Sequence, residues 1–140
     1  MFSIYSPTLI QTIEEIVAKN EEDLFNKVEK IEEEAKAFGF YWETLDQLTE
    51  QIQSECHEIK EAWQNDDKNH LEEEVGDLML AVASLAIFCN LDPKETFHKS
   101  IQKFEKRYQN LIKLVEDDGL KNLKGNSTEV LLEYWKKAKK

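Results

Sequence analysis

Four acidic residues near the middle of this 140-residue chain fall at spacings that suit a bound cation. Glu55 and Glu58 are three positions apart, which is one helical turn, and Glu74 and Asp77 repeat that spacing. On a helical wheel of about 100° per residue centred on Ile52, Glu55 falls at about −60° and Glu58 at about −120°. Both carboxylates therefore flank one edge of an apolar stripe and can converge on one point. Fifteen residues separate Glu58 from Glu74, enough to finish one helix, turn and return antiparallel. Carboxylates crowded in this way repel, and partial burial raises their pKa values or the free energy of the fold. A hard divalent cation removes that penalty. Oxygen donors alone favour Mg²⁺, with Mn²⁺ as a substitute, over Zn²⁺. The three histidines, His57, His70 and His98, are scattered and read as surface or cap residues rather than ligands.

The elements that must position these acids are all helical. Ser6-Pro7 can cap and open a short helix to about Lys19, broken at Asn20. Leu24, Val28, Ile31, Ala35 and Phe38 repeat at helical spacing, and Gly39 supplies a left-handed stop. The aromatic linker Phe40-Tyr41-Trp42 leads into a helix from about Thr44 to Trp63, with the stripe Leu45, Leu48, Ile52, Cys56, Ile59 and Trp63. A polar loop, 64–69, precedes a helix from His70 to Asn90 that is apolar nearly all round, the pattern of a central, most buried element. Pro93 opens a helix with the stripe Phe97, Ile101, Phe104, Tyr108, Leu111 and Val115, stopping near Gly119; a last helix runs from Thr128 to about Lys139. With no strand-period alternation, the expected fold is a single all-α domain over 1–140. It is an antiparallel bundle with a four-helix-like core and additional short terminal helices.

Composition narrows the function. Four Gly and two Pro cannot furnish the turns of an all-β fold. The net charge of −11 argues against a partner of duplex nucleic acid or anionic membrane. The first residues lack the basic and apolar stretches of a signal peptide, and the longest uncharged run, Leu78 to Leu91, is fourteen residues, too short to span a bilayer. Cys56 and Cys89 sit at apolar helical positions and read as buried reduced thiols, so a cytoplasmic location is expected. Trp42 and Trp63 read as core or interface residues. The charge is divided: Glu43 to Asp77 holds twelve acids and two bases, Lys94 to Lys140 seven acids and twelve bases. In the basic half Lys103 and Arg107 are one turn apart, as are Trp135 and Lys139. Magnesium, cations and an aromatic ring together suit a nucleotide polyphosphate, with metal and cations on the phosphates and the ring against the base.

At this point the chain resembles the MazG-type nucleoside triphosphate pyrophosphohydrolases. Glu55-Cys56-His57-Glu58 followed by Glu74-Val75-Gly76-Asp77 is similar to that family's E-x-x-E…E-x-x-D signature. Phe38-Gly39-Phe40-Tyr41-Trp42 resembles its G-F-x-W segment, and Leu71 to Leu78 its E-E-L-G-D-L run. Lys103 to Tyr108 is similar to K-F-x-x-R-F, and Leu132 to Lys139 to a W-x-x-x-K ending. The resemblance covers roughly 24–140 and leaves 1–23 as an extension. It implies a Mg²⁺-dependent homodimer, or dimer of dimers, that cleaves a nucleoside triphosphate between the α- and β-phosphates. It also implies metal ligation by Glu55, Glu58, Glu74 and Asp77, and phosphate or nucleotide contacts at Lys103, Arg107, Trp135 and Lys139. Glu58 is the preferred base. Two departures stand out: Ser54 replaces a second acid beside Glu55, and Ile101 replaces an Asn two residues before Lys103.

Other readings compete with this one. A related all-α pyrophosphatase specific for dUTP or dCTP would carry similar motifs. A ferritin-like di-iron bundle needs two E-x-x-H pairs, and Glu95 to His98 is a single one. In a helical interaction protein without turnover, the acids would be only a solvated face, as they are read to be from Glu14 to Glu34.

Overall fold

In the computed structural model, residues 8–13, 16 and 23–140 are described. The chain divides at residue 93 into two compact units, Met1–Pro93 and Lys94–Lys140. Residues 8–13 and 16 are helical; the Ser6-Pro7 cap, the helix end at Lys19 and the break at Asn20 lie outside the described residues. Five helices with defined bounds follow, and no strand occurs among the described residues.

In the first unit, helix α1 is Leu24–Phe38. Asp23 opens it by accepting from the backbone N–H of Phe25 at 3.0 Å, and Gly39 closes it at φ 102°. That left-handed geometry carries no Cβ penalty for glycine, so the chain turns there into the aromatic linker. Helix α2, Leu45–Gln64, begins with a capping box: Thr44 Oγ1 accepts from the N–H of Gln47, and the Gln47 side chain accepts from the N–H of Thr44, both at 3.2 Å. A three-residue turn at 65–67 follows, with Asp66 at φ 53°. Helix α3, Lys68–Phe88, starts two residues before the expected His70, because Asp67 caps it by accepting from the His70 N–H at 3.1 Å.

Helix α3 packs along α2 and also meets α1, where the Ser84 hydroxyl donates to the Glu32 carboxylate. Leu48 (fully buried), Ala62, Ala81 and Ala83 are buried apolar residues of this helix pair. Helix α3 is central and the most buried of these five helices, as its pattern predicts, yet much of its apolar surface stays open. Met79 is 70% exposed, and Val75, Leu80 and Val82 are exposed as well. An all-round apolar helix needs neighbours on every side, and α1 and α2 cover only part of it. Cys56 and Cys89 are free and exposed, not buried. Trp63 is 74% exposed and Trp42 is exposed too, so neither packs in the core of the unit.

The second unit pairs helix α4, Pro93–Asp117, with helix α5, Thr128–Ala138, which Ser127 caps. The Phe104 and Trp135 rings lie 5.5 Å apart, Asn110 Nδ2 donates to the Ala138 carbonyl at 3.3 Å, and Tyr134 donates to Asp118. Val115 and Ala138 are buried. Gly119, at φ 76°, ends α4 where the sequence pattern places a stop.

Candidate metal centre

The buried line of α2 runs through Leu48, Glu55 and Ala62, each seven residues from the next. On the Ile52-centred wheel these fall at about −40°, −60° and −80°. Glu55 is therefore not at the edge of the buried face, as the stripe suggests, but at its centre, and it is 7% exposed. Its Oε1 accepts from Gln51 Nε2 one turn earlier, at 2.5 Å. The three-residue turn after α2 brings α3 back alongside, presenting Glu74 and Asp77 to it. Glu55, Glu74 and Asp77 each offer one oxygen, and the three atoms lie within 4.8 Å of one another.

A second set shares Glu74. Glu58, His70 and Glu74 place an oxygen, a ring nitrogen and an oxygen within 4.8 Å of one another. His70 Nε2 is 3.0 Å from Glu74 Oε1 and 3.8 Å from Glu58 Oε2. All four acids singled out from spacing thus gather at one place, Glu55 buried, Glu58 and Glu74 half-buried and Asp77 exposed. Sequence reasoning missed His70. Its signal was present: it stands four residues before Glu74, hence on the same face of α3.

The charges bear the mark of this crowding. The carboxyl of Glu74 is held above the usual range, first by a hydrogen bond with Glu55, then by desolvation and by the Glu55 charge; His70 pulls in the opposite direction. A cation would relieve the crowding that raises Glu74, and three clustered carboxylates fit a divalent ion. Gly76, between the two α3 acids, has no atom within 4 Å of where a Cβ would stand. Beside the centre, a groove of about 1470 Å³ opens between α1, the aromatic linker and the helix pair. Its walls include Tyr41, Trp42, Glu32 and Ser84, and Glu55 and Asp77 border it.

The remaining predicted site residues all belong to the second unit. Lys103 is exposed on α4 and Arg107, one turn on, is half-buried. Trp135 is half-buried against Phe104, and Lys139 caps the end of α5. Glu95, the acid of the single E-x-x-H pair, lies 3.1 Å from Lys99. No single helix among the described residues is long and apolar enough to cross a membrane.

Comparison with known proteins gives matches over most of the chain. Residues 43–112 match the family described as the MazG nucleotide pyrophosphohydrolase domain, a stretch that contains all four acids, His70, Lys103 and Arg107. The chain is 40% identical over 110 residues to the nucleoside triphosphate pyrophosphohydrolase/pyrophosphatase MazG of Thermotoga maritima, covering 79% of this chain and 42% of that protein. It is 31% identical over 118 residues to a nucleoside triphosphate pyrophosphohydrolase of Escherichia coli (strain K12), covering 81% and 44% respectively. The chain spans less than half the length of these relatives.

Proposed function

The chain belongs to the MazG nucleotide pyrophosphohydrolase family, and on that premise we propose that it hydrolyses nucleoside triphosphates to the monophosphate and pyrophosphate. The observation that carries this reading is the convergence of Glu55, Glu74 and Asp77 within 4.8 Å, with Glu55 and Asp77 bordering a groove large enough for a nucleotide. Glu55, Glu58, Glu74 and Asp77 would hold Mg²⁺, which supplies charge neutralisation for the triphosphate and Lewis acidity at phosphorus. Without that neutralisation the acidic wall would repel a polyanion.

The protein's own groups have separable tasks. Glu58 is half-buried at the edge of the cluster, and its Oε1, the oxygen other than the one 3.8 Å from His70, would take the proton from the attacking water as general base. Water adds at the α-phosphorus, the bond to the β-phosphate breaks, and pyrophosphate leaves. Lys103, Arg107, Trp135 and Lys139 are the phosphate and nucleotide contacts that the family likeness implies, cations for phosphate and a ring for the base. Removal of non-canonical nucleotides is the proposed physiological use. A homodimer or dimer of dimers is supported by the exposed apolar residues of α3, since patches of this kind mark protein interfaces. Two free cysteines suit the reducing cytoplasm. The proposal involves no nucleic acid or membrane partner and treats 24–140 as one catalytic domain, with 1–23 as an extension.

The test is a panel of ribo- and deoxynucleoside triphosphates incubated with the protein and Mg²⁺, read for pyrophosphate and monophosphate. Release of pyrophosphate supports the reading. No product from any nucleotide would sink it, and orthophosphate with a diphosphate product would move the cleavage to a different bond.

A further inference from the structure

We propose that Glu58, His70 and Glu74 form a second divalent-cation position, with the His70 imidazole as a direct ligand, that takes a first-row transition-metal ion in preference to magnesium. This rests on reading the carboxylate cluster as a metal centre and extends it to a residue outside the four acids. Two ligand atoms each about 2.1 Å from one ion, at right angles, stand about 3.0 Å apart; at a tetrahedral angle they stand about 3.4 Å apart. The distances from His70 Nε2 of 3.0 Å to Glu74 and 3.8 Å to Glu58 bracket those values. The Glu58 and Glu74 oxygens lie within 4.8 Å of each other, so the three atoms surround one position.

The backbone favours the arrangement. His70 and Glu74 sit one turn apart on α3, and Glu58 faces them from α2 across a hairpin with a turn of only three residues. Glu74 belongs to both clusters, so its two oxygens can serve neighbouring ions. The two positions differ in chemistry. Glu55, Glu74 and Asp77 offer oxygen alone, which suits Mg²⁺. Glu58, His70 and Glu74 offer one nitrogen and two oxygens, and a neutral imidazole adds affinity for transition ions where Mg²⁺ gains little.

Mn²⁺ is the probe. Calorimetric titration counts the sites, and pulsed electron paramagnetic resonance detects a directly bonded ¹⁴N. The intact protein is expected to show ¹⁴N coupling that is absent in both His70→Ala and His70→Gln. His70→Ala is expected to weaken one Mn²⁺ site by at least the ~10–100-fold that loss of even an outer-shell partner costs, with Mg²⁺ affinity changing less than about threefold. His70→Gln keeps a side chain able to hydrogen-bond Glu74, and circular dichroism confirms that either variant is folded. Mn²⁺ bound without ¹⁴N coupling would reduce His70 to a positioning residue and overturn this inference, while leaving the carboxylate centre standing. No Mn²⁺ or Mg²⁺ binding by the intact protein would overturn both.

Discussion

Replacing Glu55 with Gln is expected to make the metal-free protein more stable and the metal-loaded protein less stable than the parent. Glu55 is 7% exposed, and it is the main reason the Glu74 carboxyl is held above its usual range. A carboxyl whose folded pKa is raised contributes stability that is fully present below the unfolded pKa, near 4.5. That contribution is lost as pH rises through the folded value. Above that folded value and without metal, the parent has lost it. Glu55→Gln removes the opposing charge, and its amide oxygen still accepts from Gln51, so the variant is expected to melt higher in EDTA and to show a flatter dependence of melting temperature on pH above 4.5. Magnesium inverts the order. An ion present at 100 times its dissociation constant stabilises the folded state by about 2.7 kcal/mol. For a chain near this size that is about 5–10 °C in melting temperature. The variant lacks one donor of the set and is expected to gain little. Thermal melts of both proteins, followed by circular dichroism in EDTA and in a Mg²⁺ series, give two curves that cross. The reasoning fails if the parent melts higher in EDTA, or if both proteins gain equally from Mg²⁺.

Asp77→Asn is expected to lower pyrophosphate release by more than about 100-fold with unchanged helix content, because it removes a ligand of the ion that would stabilise transition-state charge; steady-state kinetics with a readily turned-over triphosphate checks it. Leu48→Ala is expected to cost about 3–5 kcal/mol, because Leu48 is the one large side chain fully buried among the described residues. Leu80→Ala, 51% exposed, should cost under about 1.5 kcal/mol at low protein concentration, and urea denaturation compares the two. Thr44→Ala breaks the capping box of α2 and is expected to cost about 0.5–2 kcal/mol. The same denaturation series reads this out as a lower midpoint with an unchanged slope.

Local chemistry made much of the fold legible. Gly39, Pro93, Gly119 and the Ser127-Thr128 pair each act within a few residues, so the helix limits they set agree with the structure. The four acids were legible for the same reason: two spacings of three and a gap long enough for one turn confine them to facing helices. The place of His70 beside them was not, because a histidine near a helix start serves equally as a surface or cap residue, and only the approach of Glu58 from α2 sets it apart. The exposure of Met79 and Leu80 was not legible either. A sequence shows how much apolar surface a helix carries, but not how many neighbours arrive to cover it. Cys56 was misplaced by a rotation of the buried face toward Glu55, an angle set by how α3 packs on α2.

All five donor residues lie between positions 55 and 77, on one helical hairpin with a three-residue turn. This locality bears on how the protein folds. Contacts so close in sequence carry a small loop-closure cost and form early. Most enzyme centres must wait for distant segments, whereas this one is assembled as soon as its first supersecondary unit closes. The step that closes it also forces like charges together. A cation that binds the nascent hairpin therefore assists folding before it assists catalysis, and the closing rate should rise with its concentration. The carboxylate cluster is then complete before α1 and the aromatic linker close the groove beside it.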